Sequence, residues 1–147
     1  MIDKTAQRSR ELFNSGYYWA ESVLLSVAES KNIQSEFIPK IATGLCGGIS
    51  RTCGRCGAVL GAIMAINLFY GRSKPDESLE INFAVVQKLL DIFKNKFGST
   101  NCQQLIGCDL GTEEGQNTFK ENNLVEQCKD YTEEATKIAM SIIQNES

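Results

Sequence analysis

The sequence predicts an all-α fold: a compact single-domain bundle of about five to six helices, folded around a loop rich in glycine and cysteine. Three observations carry this expectation. Apolar residues recur at steps of three and four along most of the chain. No stretch sustains the alternation of a half-buried strand. Its 147 residues contain only two prolines, and with 42% hydrophobic and 22% charged residues the chain has the composition of one globular domain with a real core.

The elements follow in order. Residues 4–14 read as a short helix that ends at "NSG". Residues 19–30 form a second, with Val23, Leu24 and Val27 on one face. A third is expected over 36–45, with Pro39 in its first turn, where a missing N–H does no harm. "CGGISRTCGRCG" (46–57) follows as a loop with four glycines. It leads into a helix over 54–70, stopped by Gly71. Over 78–97, Leu79, Phe83, Val86, Leu90, Phe93 and Phe97 predict a helix with one buried face, ended by Gly98. A helical turn capped by Thr100 or Asn101 comes next, then loops. The last helix is expected over 128–144, with Tyr131, Ala135, Ile138 and Ile142 inward.

Charge and composition exclude several functions. The formal charge is −3 and the pI about 5.1, with no basic run. Nucleic-acid binding is not indicated, and neither is a polybasic membrane contact. The start of the chain lacks the apolar core of a signal peptide, and the longest apolar run, 56–70, is short for a membrane span and broken by Asn67. A cytoplasmic protein without membrane insertion is expected.

Cysteine and histidine decide the chemistry. There are six cysteines and no histidine. Ser-His-Asp and Cys-His catalysis, His-ligated zinc and His-ligated haem are therefore excluded. Six cysteines in a chain read as cytoplasmic favour metal or redox chemistry over a disulfide framework.

Cys53 and Cys56 form a C-x-x-C pair at the head of the expected helix. There the helix dipole, with Arg51 and Arg55 nearby, would favour a thiolate. Thioredoxin-like pairs follow a strand, and none precedes this one. Metal binding, redox switching and plain burial are all open for the pair alone. Cys46 adds a third thiol within residues 46–56. Gly54 and Gly57 would let backbone N–H groups approach sulfur. Cys102 and Cys108 lie around a short helical turn, and Cys128 opens the last helix. Several cysteines thus sit near helix starts, and such ends meeting at one point would make a thiolate-favouring pocket. Gly54, Gly57, Gly61 and Ala65 also form a small-residue stripe, suited to close packing inside the molecule or in a homodimer.

These residues resemble a known family, the redox-active proteins with the pattern C…G-C-A-x-x-G…C…C, also written with C-G-A-x-x-G. "CGAVLG" (56–61) matches its core. "GGISRTCGRCGAVLGAIMAINLFYG" resembles its glycine-rich loop and helix, and "FNSGYYWAESVLL" its N-terminal segment. "FGSTNCQQLIGCDL" matches through Cys102, and "QCKDYTEEATKIAMSII" at Cys128. The resemblance implies cysteine-bound redox chemistry, plausibly an iron–sulfur cluster. It carries over three thiols, Cys56, Cys102 and Cys128. The family usually has a fourth cysteine where this chain has Trp19, so Cys53, Cys46 or Cys108 would have to replace it. The expected function is cluster binding with electron transfer or redox sensing, with an unidentified redox partner protein. The alternatives are a thiol–disulfide oxidoreductase using Cys53 and Cys56, or a structural zinc site with four cysteine ligands. Whether the protein is an enzyme is left open.

Overall fold

A computed structural model describes residues 1–146. Within them the chain forms α1 (Ile2–Asn14), α2 (Trp19–Ser30), a 3-10 turn (Lys40–Leu45), α3 (Cys46–Arg51), α4 (Gly57–Tyr70), α5 (Glu80–Phe97), α6 (Cys102–Ile106), α7 (Glu113–Glu121) and α8 (Val125–Glu146). The all-α expectation holds. Among the described residues no helix is long and apolar enough to cross a membrane.

Helices α1, α2, α4 and α8 pack on one another, and α5 lies along α4 and α8. α4 is apolar almost all round, as a central helix must be. Its small-residue stripe is filled from within: a β-carbon at Gly61 would stand 2.7 Å from the Ala20 Cα and carbonyl oxygen. The close approach to α2 occupies that part of the stripe, so it is not a free surface for a second copy. α8 turns Tyr131, Ala135, Ile138 and Ile142 into the core as expected. At the start of α2 the Tyr18 N–H donates to the Glu21 carboxylate at 3.1 Å, half of a capping box.

Several boundaries differ from expectation. The helix expected over 36–45 is a series of turns that includes the cis Ile38–Pro39 bond and ends in the 3-10 turn. α4 starts at Gly57, not 54, because residues 54–56 run extended beside 100–102. There Cys56 N–H donates to Thr100 O at 2.7 Å and Cys102 N–H to Gly54 O at 2.9 Å. α5 is rotated from its expected phase: Val85, Leu89 and Phe93 are buried, while Phe83 is half exposed. Apolar residues occupy more than one face of that helix, and packing against α4 and α8 selects among them. α7 falls where loops were expected. It is polar and has no apolar period to reveal it, but Thr112 caps it by accepting from Gly115 N–H at 2.9 Å. α8 begins at Val125, which places Cys128 late in its first turn.

α3 is the unusual element. Gly47, Gly48, Ile49, Ser50 and Arg51 have φ of 68°, 66°, 59°, 55° and 66°, so the segment turns left-handed. Thr52 N–H and Gly54 N–H both donate to Gly48 O, at 3.3 and 2.9 Å, and Ser50 Oγ donates to Gly44 O at 2.7 Å. Left-handed backbone costs a non-glycine residue about 1–2 kcal/mol, and Ile49, Ser50 and Arg51 each carry that cost.

Candidate thiol site

The head of α4, the two ends of α6 and the first turn of α8 bring four buried cysteines to a common apolar cluster that also holds Trp19, Ile106, Leu110 and Tyr131. Cys56 ends the extended residues and stands at the N-cap of α4. Cys102 is the first residue of α6, whose cap is Asn101, accepting from Gln104 N–H at 3.1 Å. Cys108 follows Gly107, which ends α6 with φ 78°. Cys128 lies in α8 and is 1% exposed. The left-handed turn makes room for one of them: a β-carbon at Gly48 would stand 2.7 Å from Cys102 Cβ and 3.1 Å from its Sγ.

Burial dominates the acid–base behaviour of these thiols. It pushes Cys56 up to about 11, against the N–H groups of Val59 and Ala58, which favour the thiolate without making cap hydrogen bonds of standard geometry; nearby Cys46 raises it further. Cys102 is pushed up to about 12, by burial first and then by Cys56, Cys53 and Cys108. Cys128 is raised by burial most of all. The neighbouring Trp19 side chain opposes this by favouring the thiolate, while Cys56, Cys102 and Cys108 add to it. Burial also raises Cys108, with Asp109 contributing. Tyr131, whose hydroxyl donates to Leu105 O at 3.0 Å, is raised by burial and by Cys128, Cys56 and Cys102. A charge on one sulfur is thus felt at its neighbours. The thiols are neutral at neutral pH, and all six cysteines are free.

Cys46 and Cys53 have different surroundings. Cys46 is half-buried at the start of α2, where burial raises it and the N–H groups of Glu21 and Ala20 lower it. It stands beside the place of the missing family thiol: a side chain at Gly57 would meet Trp19 Cβ at 2.9 Å and Cys46 Cα at 3.0 Å. Cys53, with φ 59°, donates through Sγ to Asp109 Oδ1 at 3.1 Å. That hydrogen bond raises the Cys53 thiol and, with Gly111 N–H, lowers the Asp109 carboxyl. The helix-dipole environment expected for Cys53 belongs to Cys56 instead, because α4 starts later.

The expected helpers are also redistributed. Arg55 donates to Thr100 Oγ1 at 2.6 Å. Arg51 lines a surface cleft beside Cys46. Gly54 gives its N–H to the backbone, and Gly57 provides room for Trp19 and Cys46. Asp109 and the Trp19 indole are site residues that sequence reasoning missed. Their partners lie far away in sequence, and no local pattern signals either contact. Among the described residues, no three Cys, Asp or Glu side chains stand as a group able to hold one metal ion.

Residues 17–142 match a family model described as "Putative redox-active protein (C_GCAxxG_C_C)". The chain belongs to this family. The chain is also similar to a protein of Archaeoglobus fulgidus described as uncharacterized, 35% identical over 113 residues that cover 70% of this chain and 74% of the relative. No solved structure matches. As a C_GCAxxG_C_C protein the chain places the core motif's Cys56 and Gly57 at the head of α4 and Gly61 where α4 meets α2.

Proposed function

We propose that the protein holds an iron–sulfur cluster on Cys56, Cys102, Cys108 and Cys128 and works as a cytoplasmic electron carrier or redox sensor with a redox partner protein. The observation that carries this reading is the gathering of four buried thiols, from α4, both ends of α6 and α8, in one apolar cluster. The donor chemistry fits. Soft sulfur ligands in a low-dielectric site select iron–sulfur, zinc or copper(I) over hard cations.

Zinc and a cluster demand different sulfur spacings. A tetrahedral zinc with Zn–S of about 2.3 Å needs its sulfurs about 3.8 Å apart. A cluster interposes several iron and sulfide atoms, so its ligands stand farther apart. When bound, it would supply one-electron chemistry. The chain's own residues would set its potential: the Trp19 side chain and the N–H groups of Ala58 and Val59 offset negative charge on sulfur, and the apolar walls exclude water. Loading requires the thiols to give up their protons, so it releases protons and strengthens as pH rises.

The thiol–disulfide alternative has one supporting contact, the Asp109 carboxylate placed to accept the Cys53 proton. Cys56, its expected partner, is buried and neutral.

The test is anaerobic purification with iron, sulfide and zinc analysis and visible absorption, repeated for six single Cys→Ser variants. Iron and sulfide are expected, lost on changing Cys56, Cys102, Cys108 or Cys128 and kept on changing Cys46 or Cys53. A colourless, metal-free protein would sink the reading. Loss at Cys46 instead of Cys108 would move the fourth ligand to the thiol beside Trp19.

A further inference from the structure

A cleft of about 510 Å³ opens between the start of α2, the left-handed turn and α7. Its size lies in the range of small-molecule sites. Tyr18 and Trp19 line it as a stacked pair, ring centroids 5.4 Å apart and planes at 30°, and Phe119 contributes a third ring from α7. Arg51 and Lys120 are the charged residues of its lining, and no carboxylate lines it. Neither cation is in an ion pair or hydrogen bond with a described side chain. An acidic protein thus presents an unneutralised cationic pair at an aromatic cleft.

A second observation is the backbone at Arg51. Its φ of 66° is unfavourable for arginine, and the same left-handed turn carries Cys46 at its start. Strain that survives at the edge of a cleft is a reason to look for function there. The cleft also adjoins the thiol site. Trp19 lines it and belongs to the same apolar cluster as Cys56 and Cys128, and the cleft residue Cys46 packs against that cluster.

We propose that this cleft binds a small planar aromatic anion, its ring against Tyr18 and Trp19 and its carboxylate, sulfonate or phosphate held by Arg51 and Lys120. Binding itself needs no metal. Only an exchange of electrons between the bound ring and the thiol site would rest on the cluster reading.

Anthraquinone-2-sulfonate is a suitable probe, titrated into the anaerobically purified full chain by calorimetry. Emission from Trp19, the single tryptophan, is followed in parallel. Saturable one-site binding is expected, with a change in Trp19 emission and weakening as salt is raised. The double variant R51E/K120E should weaken it at least tenfold, and R51K/K120R should retain it. Both side chains are exposed, so the variants are expected to fold, which circular dichroism and thiol counting check. Absence of saturable binding, or unchanged affinity in R51E/K120E, would overturn the proposal. Sulfate competing as well as the probe would overturn the role of the ring. Iron is measured on the same sample. A colourless sample that binds the probe counts against the cluster alone, and an iron-loaded one that does not bind it counts against the cleft alone.

Discussion

At Gly61 a β-carbon would stand 2.7 Å from the backbone of Ala20, in a helix of ordinary right-handed geometry. At Gly47 it would meet nothing nearer than 3.7 Å, but φ there is 68°. Glycine in α4 supplies space; glycine at the start of the left-handed turn supplies conformation. Gly48 supplies both, with φ 66° and Cys102 against it. The turn then continues through Ile49, Ser50 and Arg51, which lack glycine's freedom, whereas α4 uses alanine, valine and isoleucine where they are comfortable. One region is relaxed scaffold and the other is strained, and the thiol site lies where they meet.

The largest expected effect tests the thiols buried at that junction. In the metal-free protein, Cys56 and Cys102 ionise only near about 11 and 12 when folded, against an ordinary value of 9.0. A raised folded pKa contributes stability that is intact below the unfolded value and is lost as pH climbs toward the folded one. Each such thiol should remove about 1.4 kcal/mol per pH unit across that window. Urea midpoints between pH 8 and 11 should fall steeply, and a flat profile would mean that water reaches the thiols.

Next comes Gly48→Ala, which combines a clash with left-handed strain. A loss of about 3 kcal/mol or more is expected. Faster labelling of Cys102 by a thiol reagent should accompany it. Gly61→Ala isolates the steric term. About 2 kcal/mol should be lost as α2 and α4 are forced apart, with labelling of Cys102 changed less than in Gly48→Ala. Equal labelling in the two would erase the distinction between the regions.

The smallest effect has the opposite sign. Arg51→Gly should stabilise the protein by about 1 kcal/mol by releasing left-handed strain, while weakening probe binding in the cleft. Thermal unfolding and the calorimetric titration read the two together. A destabilised Arg51→Gly would show that the arginine side chain supports the turn.

Much of the scaffold was legible in order and type. α1, α2, α4, α5 and α8 follow from apolar periodicity and stop signals, and Gly61 was rightly read as a close-packing position. α7 was not legible, because a polar surface helix leaves no apolar period. The start of α4 was misplaced because the pairing of 54–56 with 100–102 is a long-range event. Cys56, Cys102 and Cys128 were identified from the family pattern, whereas the different surroundings of Cys108 and Cys53 were not.

By itself the sequence determined the chemistry open to this protein. Six thiols and no histidine rule out histidine-based catalysis and ligation and direct attention to sulfur chemistry, and helical periodicity dictates the class of fold, because both depend on composition and local spacing. Only the tertiary structure decided which thiols are buried in one cluster. Cys108 is carried inward by the end of α6 while Cys53 is turned to Asp109, and Trp19 packs into the same apolar cluster as Cys128. It also decided the hand of the turn. No intrinsic preference would place Ile49, Ser50 and Arg51 in left-handed backbone, and that geometry persists through the contacts of Gly48 with Cys102 and of Gly54 with the turn.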